Sequence, residues 1–171
     1  MHLDHHPVLR ALRPFDPAQA GPVAAWAGSA TEARWWAGVA GFPVPAATVV
    51  SWQEDPDARG YLLYEDAEPV AYGEIWDDAE EAESELAHLI VHPAARGRGL
   101  GRALVHSLVP LAGFDALLMR VHPDNSAARR CYVGAGFAVV DEERAAEWNV
   151  PQPVPYVWLE QTRQQVVDDA R

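Results

Sequence analysis

Arg96-Gly97-Arg98-Gly99-Leu100-Gly101 places three glycines in six residues, just ahead of the apolar positions Leu104, Val105, Leu108 and Val109. A strand that feeds a helix through such a turn aims several backbone N–H groups, and the positive end of the helix dipole, at one point. Glycine lets an anion approach with no Cβ in the way. That chemistry is phosphate binding, but an ordinary glycine-rich β–α connection has the same spacing, and spacing alone leaves the two even. Two other phosphate loops fail. A Walker loop needs Lys-Ser or Lys-Thr after its last glycine, where Arg102-Ala103 stands. A dinucleotide-binding turn needs Gly-x-Gly-x-x-Gly and an acid about 20 positions on, where Arg120 and Val121 stand.

A second constellation follows in His122-Pro123-Asp124-Asn125 and the helix-forming stretch beginning at Ser126. Asn125 is an N-cap by type and position, a role compatible with presenting its amide to a ligand. Tyr132 lies seven residues later, two helical turns on, so it projects from nearly the same side. Cys131 beside it points elsewhere, as a small core residue. Upstream, strand alternation places Glu85, Ala87, Leu89 and Val91 on one face unless a bulge intervenes, and turns His88 away from Glu85.

Both stretches have counterparts in one family. Arg96, Gly99 and Gly101 match every fixed position of the acetyl-CoA motif of the Gcn5-related N-acetyltransferase (GNAT) superfamily, which the segment resembles. Leu89-Ile90-Val91-His92-Pro93 is similar to that family's cofactor strand, and Asn125, Ala128, Tyr132, Gly136 and Phe137 match its second signature in order. The resemblance covers Glu85 to about Val140, roughly a third of the chain. It implies an N-acetyltransferase that moves an acetyl group from acetyl-CoA to a primary amine, directly, in a ternary complex. Acetyl-CoA would lie on Leu89, Ile90 and Val91, on the turn Arg96, Gly97, Arg98, Gly99, Leu100, Gly101 and Arg102, and on Asn125. The Val91 N–H would hold the oxyanion.

Acyl transfer also needs a base for the ammonium and an acid for the leaving thiolate. Tyr132 is the implied acid, with core packing as the other reading of a tyrosine at that spacing. Glu85, eleven residues before Arg96, stands where several members carry a general-base glutamate; an exposed carboxylate closing an acidic loop is the alternative. His88, whose side-chain type titrates near neutrality, and Glu74 are the runners-up, and Glu74 is the candidate to bind the substrate ammonium. Trp35 and Trp36, or Trp148, are candidates to wall the acceptor pocket, the other tryptophans being core. The competing function is a non-catalytic module that senses acyl-CoA.

The elements that must position these residues are legible in outline. A strand over Val8 to Arg13 precedes a helix capped by Asp16 with Pro17 first, and a second helix follows Ser29. Thr48 to Trp52 reads as helix or strand equally. Gly60 to Tyr64 and Val70 to Trp76 form a hairpin, Glu85 to His92 is the next strand, and a helix runs from Gly101 to about Ala112. Strand Ala116 to Val121, helix Ser126 to Val133 and strands Phe137 to Val140 and Tyr156 to Leu159 complete the order. This predicts an α/β (α+β) fold: one domain over 1–163, with a mixed, mostly antiparallel sheet, helices on both faces and, by the resemblance, a splayed cofactor strand. Residues 164–171 read as a flexible tail, and His2, His5 and His6 as part of a mobile end rather than a metal site.

Composition narrows the partners. A net charge of −12 opposes nucleic acid and anionic membranes. Ten carboxylates and no basic residue lie between Arg59 and Arg96, a solubilising surface that favours a cationic amine. The single cysteine excludes an internal disulfide and the spacing offers no metal ligands. No run approaches the roughly 20 apolar residues of a membrane span, and Met1 to Arg10 lacks the pattern of a signal peptide, so a cytoplasmic location is expected. A homodimer is compatible with the sequence, though no segment identifies its interface.

Overall fold

The computed structural model describes residues 7–163. His2, His5 and His6 and the tail 164–171 lie outside the described residues. Strands β1 (Arg10–Pro14), β2 (Ala58–Glu65), β3 (Glu68–Asp78), β4 (Glu83–Val91), β5 (Ala116–Val121), β6 (Ala138–Val139) and β7 (Val157–Thr162) make one sheet in the order β1-β2-β3-β4-β5-β7-β6. Every pairing is antiparallel except β4 with β5, which the crossover through a helix makes parallel.

Both faces of the sheet are covered, so its strands are apolar on both sides. On one face α4 (Leu100–Leu108) buries Leu100, Leu104, Val105 and Leu108, a stripe at helical spacing. It packs with α5 (Ser126–Gly134) over Ile75, Leu86, Leu117, Met119 and Leu159. On the other face α1 (Ala20–Ala24), α2 (Ala30–Ala37) and α3 (Ala46–Ser51) close over Leu62, Tyr72 and Ile90. Local chemistry fixes their ends. Ser29 accepts the Glu32 N–H to start α2, and Gly38, at φ 65°, ends it in the left-handed conformation.

Several expected boundaries shift. Asp16 caps a short 3-10 turn (Pro17–Gln19) before α1, so the first helix is broken where the sequence predicts one run. Thr48 to Trp52 is helical, as α3 and the 3-10 turn after it. A helix absent from the sequence reading, α6 (Glu142–Asn149), is capped by Asp141 and sets Trp148 edge-on to Trp158 with ring centroids 5.4 Å apart.

Candidate active site

The site begins where β4 and β5 part. Their pairing holds for Glu83 with Ala116, Ser84 with Leu117 and Glu85 with Leu118, then lapses. The cause is a bulge. His88 sits at φ 51°, in the left-handed region, and the β3–β4 register shifts between Tyr72 and Glu74. Leu86 and Ile90 would share a face in a regular strand, yet they lie in the cores on opposite sides of the sheet. Past the bulge the His92 N–H donates to the Val70 carbonyl at 2.8 Å, so alternation turns the Val91 N–H the other way, into the gap beside β4. A cleft of about 910 Å³ opens there.

Toward α4 and α5 the cleft is lined by open backbone and a helix end. Gly97 and Gly99 have φ of 77° and 76°, and a Cβ added to either would meet nothing within 4 Å. No side chain caps α4, which leaves its first-turn N–H groups facing the cleft. The open backbone and uncapped helix end fit a pyrophosphate. Gly101 lines the cleft too, and its lack of a side chain also serves packing, since a Cβ there would lie 2.9 Å from Cys131 Sγ. Arg96 acts as a strap: its guanidinium donates to the carbonyls of Val91 at 3.1 Å and Trp26 at 3.0 Å and pairs with Glu32. Leu89, Ile90, Val91, Leu100, Arg102 and Asn125 also line the cleft. Asn125 caps α5 through the Ala128 N–H at 3.2 Å.

Arg98 requires a correction. Its guanidinium turns away from the cleft to pair with Glu65 at 2.8 Å, a carboxylate it shares with Arg10. Cys131 does not point elsewhere, as its neighbour's position suggested, but lines the cleft between α4 and α5. Burial pushes its thiol pKa up, against a smaller lowering by Arg102, which keeps it a thiol and a poor nucleophile. Tyr132 also faces the cleft and is 9% exposed. Burial, with Cys131 beside it, raises its pKa, so the phenol keeps its proton. Among the described residues nothing hydrogen-bonds its hydroxyl.

Through the gap, on the α2 side, lies a hydrogen-bonded group the strand pattern did not foresee. Glu74 is fully buried and does not line the cleft. Its Oε1 accepts the Tyr72 hydroxyl at 2.5 Å, and its Oε2 accepts the Trp76 indole N–H at 2.6 Å. Burial, then the charge and hydrogen bond of Glu74, raise the Tyr72 pKa, so Tyr72 remains a donor. His88 Nδ1 lies 3.1 Å from the same Oε2. Because indole can only donate, Oε2 accepts from Trp76, and assigning the hydrogen to His88 Nδ1 lets the same oxygen accept from both. The lone pair is then on Nε2, on the ring edge away from Glu74. His88 lines the cleft, stacked 3.7 Å from Trp52.

Two expectations are thereby corrected. His88 comes to the same face as Glu85, because its left-handed backbone breaks the alternation. Glu74, expected to meet a substrate ammonium, does not line the cleft; it touches His88 and Trp76, which do. Glu85 lines the cleft, but both its oxygens are held by Arg120, at 2.5 and 2.7 Å. Burial would lower the Arg120 pKa, but the bonds and charge of Glu85 outweigh it and raise it. Trp35 and Trp36 line the cleft while Trp148 does not, and Trp76, expected in the core, does. His122, at the end of β5, and Arg130 are further lining residues. Both sit inside the Asn125 signature, where a cap and a tyrosine carried the sequence signal.

Comparison with known proteins places this geometry among relatives. A sequence model of the Acetyltransferase (GNAT) family matches residues 28–137. The mycothiol acetyltransferase of Streptomyces griseus subsp. griseus is 35% identical over 86 residues, covering 50% of this chain and 27% of that protein. Its counterpart in Streptomyces avermitilis is 36% identical over 91 residues, covering 53% and 29%. The chain thus spans less than a third of the length of either curated relative. Among solved structures, AAC(6')-Ib with paromomycin and acetyl-CoA superposes with a TM-score of 0.69 at 23% identity, covering 94% of this chain and 99% of that one. A Salmonella typhimurium protein solved with its cofactor acetyl-CoA gives 0.67 at 19%, covering 95% and 99%. At such identities these two establish likeness of fold.

Proposed function

This chain belongs to the GNAT acetyltransferase family, and from that premise we propose that it transfers an acetyl group from acetyl-CoA to a primary amine by direct attack. The observation that carries the reading is the single cleft through the parted strands. It joins the open turn at Gly97 and Gly99 and the side of Tyr132 on one face to His88 on the other.

In this reading the turn and the first-turn N–H groups of α4 hold the pyrophosphate, and the edge of β4 holds the pantetheine arm as an added strand would. The amine nitrogen attacks the thioester carbonyl. The Val91 N–H, already aimed into the gap, stabilises the oxyanion. His88 Nε2 takes the proton the nitrogen sheds, and buried Glu74 steadies the imidazolium formed. The C–S bond breaks, and Tyr132 gives its proton to the leaving thiolate. Solvent returns that proton to Tyr132 and clears the one on His88. We assign the base to His88 and not Glu85 because both Glu85 oxygens already accept from Arg120.

Calorimetry with acetyl-CoA, combined with a free-thiol release assay over a panel of amines, tests the proposal. Binding with turnover is expected, and Tyr132→Phe should lower kcat at least about tenfold with unchanged acetyl-CoA affinity. Binding without turnover on any amine would make the protein an acyl-CoA sensor instead.

A further inference from the structure

Resting on the transfer reading, a further property concerns what the acceptor is. Its side of the cleft is walled by rings: Trp35 and Trp36 from α2, Trp76 from β3, Tyr156 ahead of β7, and the imidazoles of His88 and His122. The indole N–H groups of Trp36 and Trp76 are spent on the His88 carbonyl at 2.7 Å and on Glu74 at 2.6 Å, so these walls present carbon. Among the described residues Glu32 and Glu85 are the carboxylates that line the cleft, and both are taken. Glu32 accepts the Gly28 N–H at 2.5 Å and pairs with Arg96. Glu85 is bridged by Arg120, whose guanidinium also lies 5.8 Å from the rings of Trp76 and Tyr156.

An ammonium drawn into this space gives up its hydration, meets no free counter-charge and has only ring faces to offset the loss. A polyamine does so several times. A single amine on a planar apolar body does so once, and the rest of its surface gains ring contacts. We infer that the acceptor is a primary amine carried on an aromatic body, and that polycationic amines are poor acceptors. The −12 net charge acts in the opposite direction, but it resides mostly in carboxylates outside the cleft and speeds encounter more than it stabilises a bound pose.

The test is calorimetric titration of the CoA-loaded protein with 2-phenylethylamine, its saturated counterpart 2-cyclohexylethylamine, spermidine and kanamycin. The aryl amine should bind at least about tenfold more tightly than spermidine or kanamycin, and a few-fold more tightly than the cyclohexyl compound. Trp35→Leu should weaken aryl amine binding several-fold and leave CoA affinity unchanged. Tighter binding of spermidine or kanamycin, or an aryl affinity indifferent to Trp35→Leu, overturns the inference. Thiol release run in parallel separates the two claims. Aryl-selective binding with no transfer to any amine supports the pocket and defeats the acetyltransferase reading; efficient transfer to kanamycin alone does the reverse.

Discussion

Two carboxylates and one imidazole compete for the role of base, and their surroundings distinguish them. A base needs an unengaged lone pair facing the substrate. Glu85 offers both oxygens to Arg120, and Glu74 offers both to Tyr72, Trp76 and His88. His88 is the group whose remaining lone pair the network leaves over. His88→Gln is therefore expected to cut kcat by about 10²- to 10⁴-fold, within the usual range for a general base, with acetyl-CoA affinity unchanged. Glu85→Gln should act through the loosened Arg120 and raise the amine KM more than it lowers kcat. Steady-state kinetics on both variants decides the order: a larger kcat loss in Glu85→Gln than in His88→Gln would return the role to Glu85.

Between elements, small contacts hold the cleft open at the right width. Gly101 lets α4 approach α5, and an alanine Cβ there would press to 2.9 Å of Cys131 Sγ. Gly101→Ala gains up to about 1 kcal/mol of helix propensity but should lose about 1–3 kcal/mol to overpacking. In a Cys131→Ala background the clash disappears and the same change should become stabilising, a reversal that a denaturant double-mutant cycle reads directly. Asp77, near the end of β3, makes a second tie, bonding Ser84 of β4 at 2.6 Å, the Gly113 N–H at 3.0 Å and Arg59 of β2 at 2.7 Å. Partial burial works to raise its pKa, but Ser84, Gly113 and Arg59 together draw it below the ordinary value. Its stabilisation is thus full above the unfolded pKa of about 3.9 and fades as pH falls through the lower folded value. Asp77→Asn should cost about 1–3 kcal/mol near neutrality, and the Tm gap to the parent should narrow progressively as the pH is taken below about 4. A gap that stays constant would mean the charge of Asp77 contributes nothing. Elements with strong local signals were legible from the chain alone: the glycine turn, β5 over Ala116 to Val121 and the Asn125 cap all lie where the sequence put them. What could not be read depended on distant partners. Nothing local marks the left-handed bulge at His88, which hid the contact with Glu74; Arg98 turns away because Glu65 of β2 waits for it. The charged stretch of α6, with Trp148 as its anchor on Trp158, carries too little apolar periodicity to announce a helix.

Over the whole molecule, charge is distributed unevenly. The carboxylate-rich strands β2 to β4 supply much of the −12 net charge, whereas Arg102 on α4 and Arg129 and Arg130 on α5 form no ion pair among the described residues. Arg102 and Arg130 line the cleft beside the open turn. An anionic donor therefore meets long-range repulsion and short-range attraction, and ionic strength separates them. At about 0.15 M salt the screening length is about 8 Å, which already mutes the distant carboxylates; at 1 M it is about 3 Å, which also weakens contacts at the cleft. Between those two concentrations acetyl-CoA affinity should fall, and the fall should be shallower in an Arg102→Ala, Arg130→Ala double variant, whose Kd at 0.15 M is already raised. Calorimetric titrations across that range measure both slopes. An affinity that rises with salt would mean that the net charge outweighs the local arginines, and equal slopes for parent and variant would place the phosphates out of reach of Arg102 and Arg130.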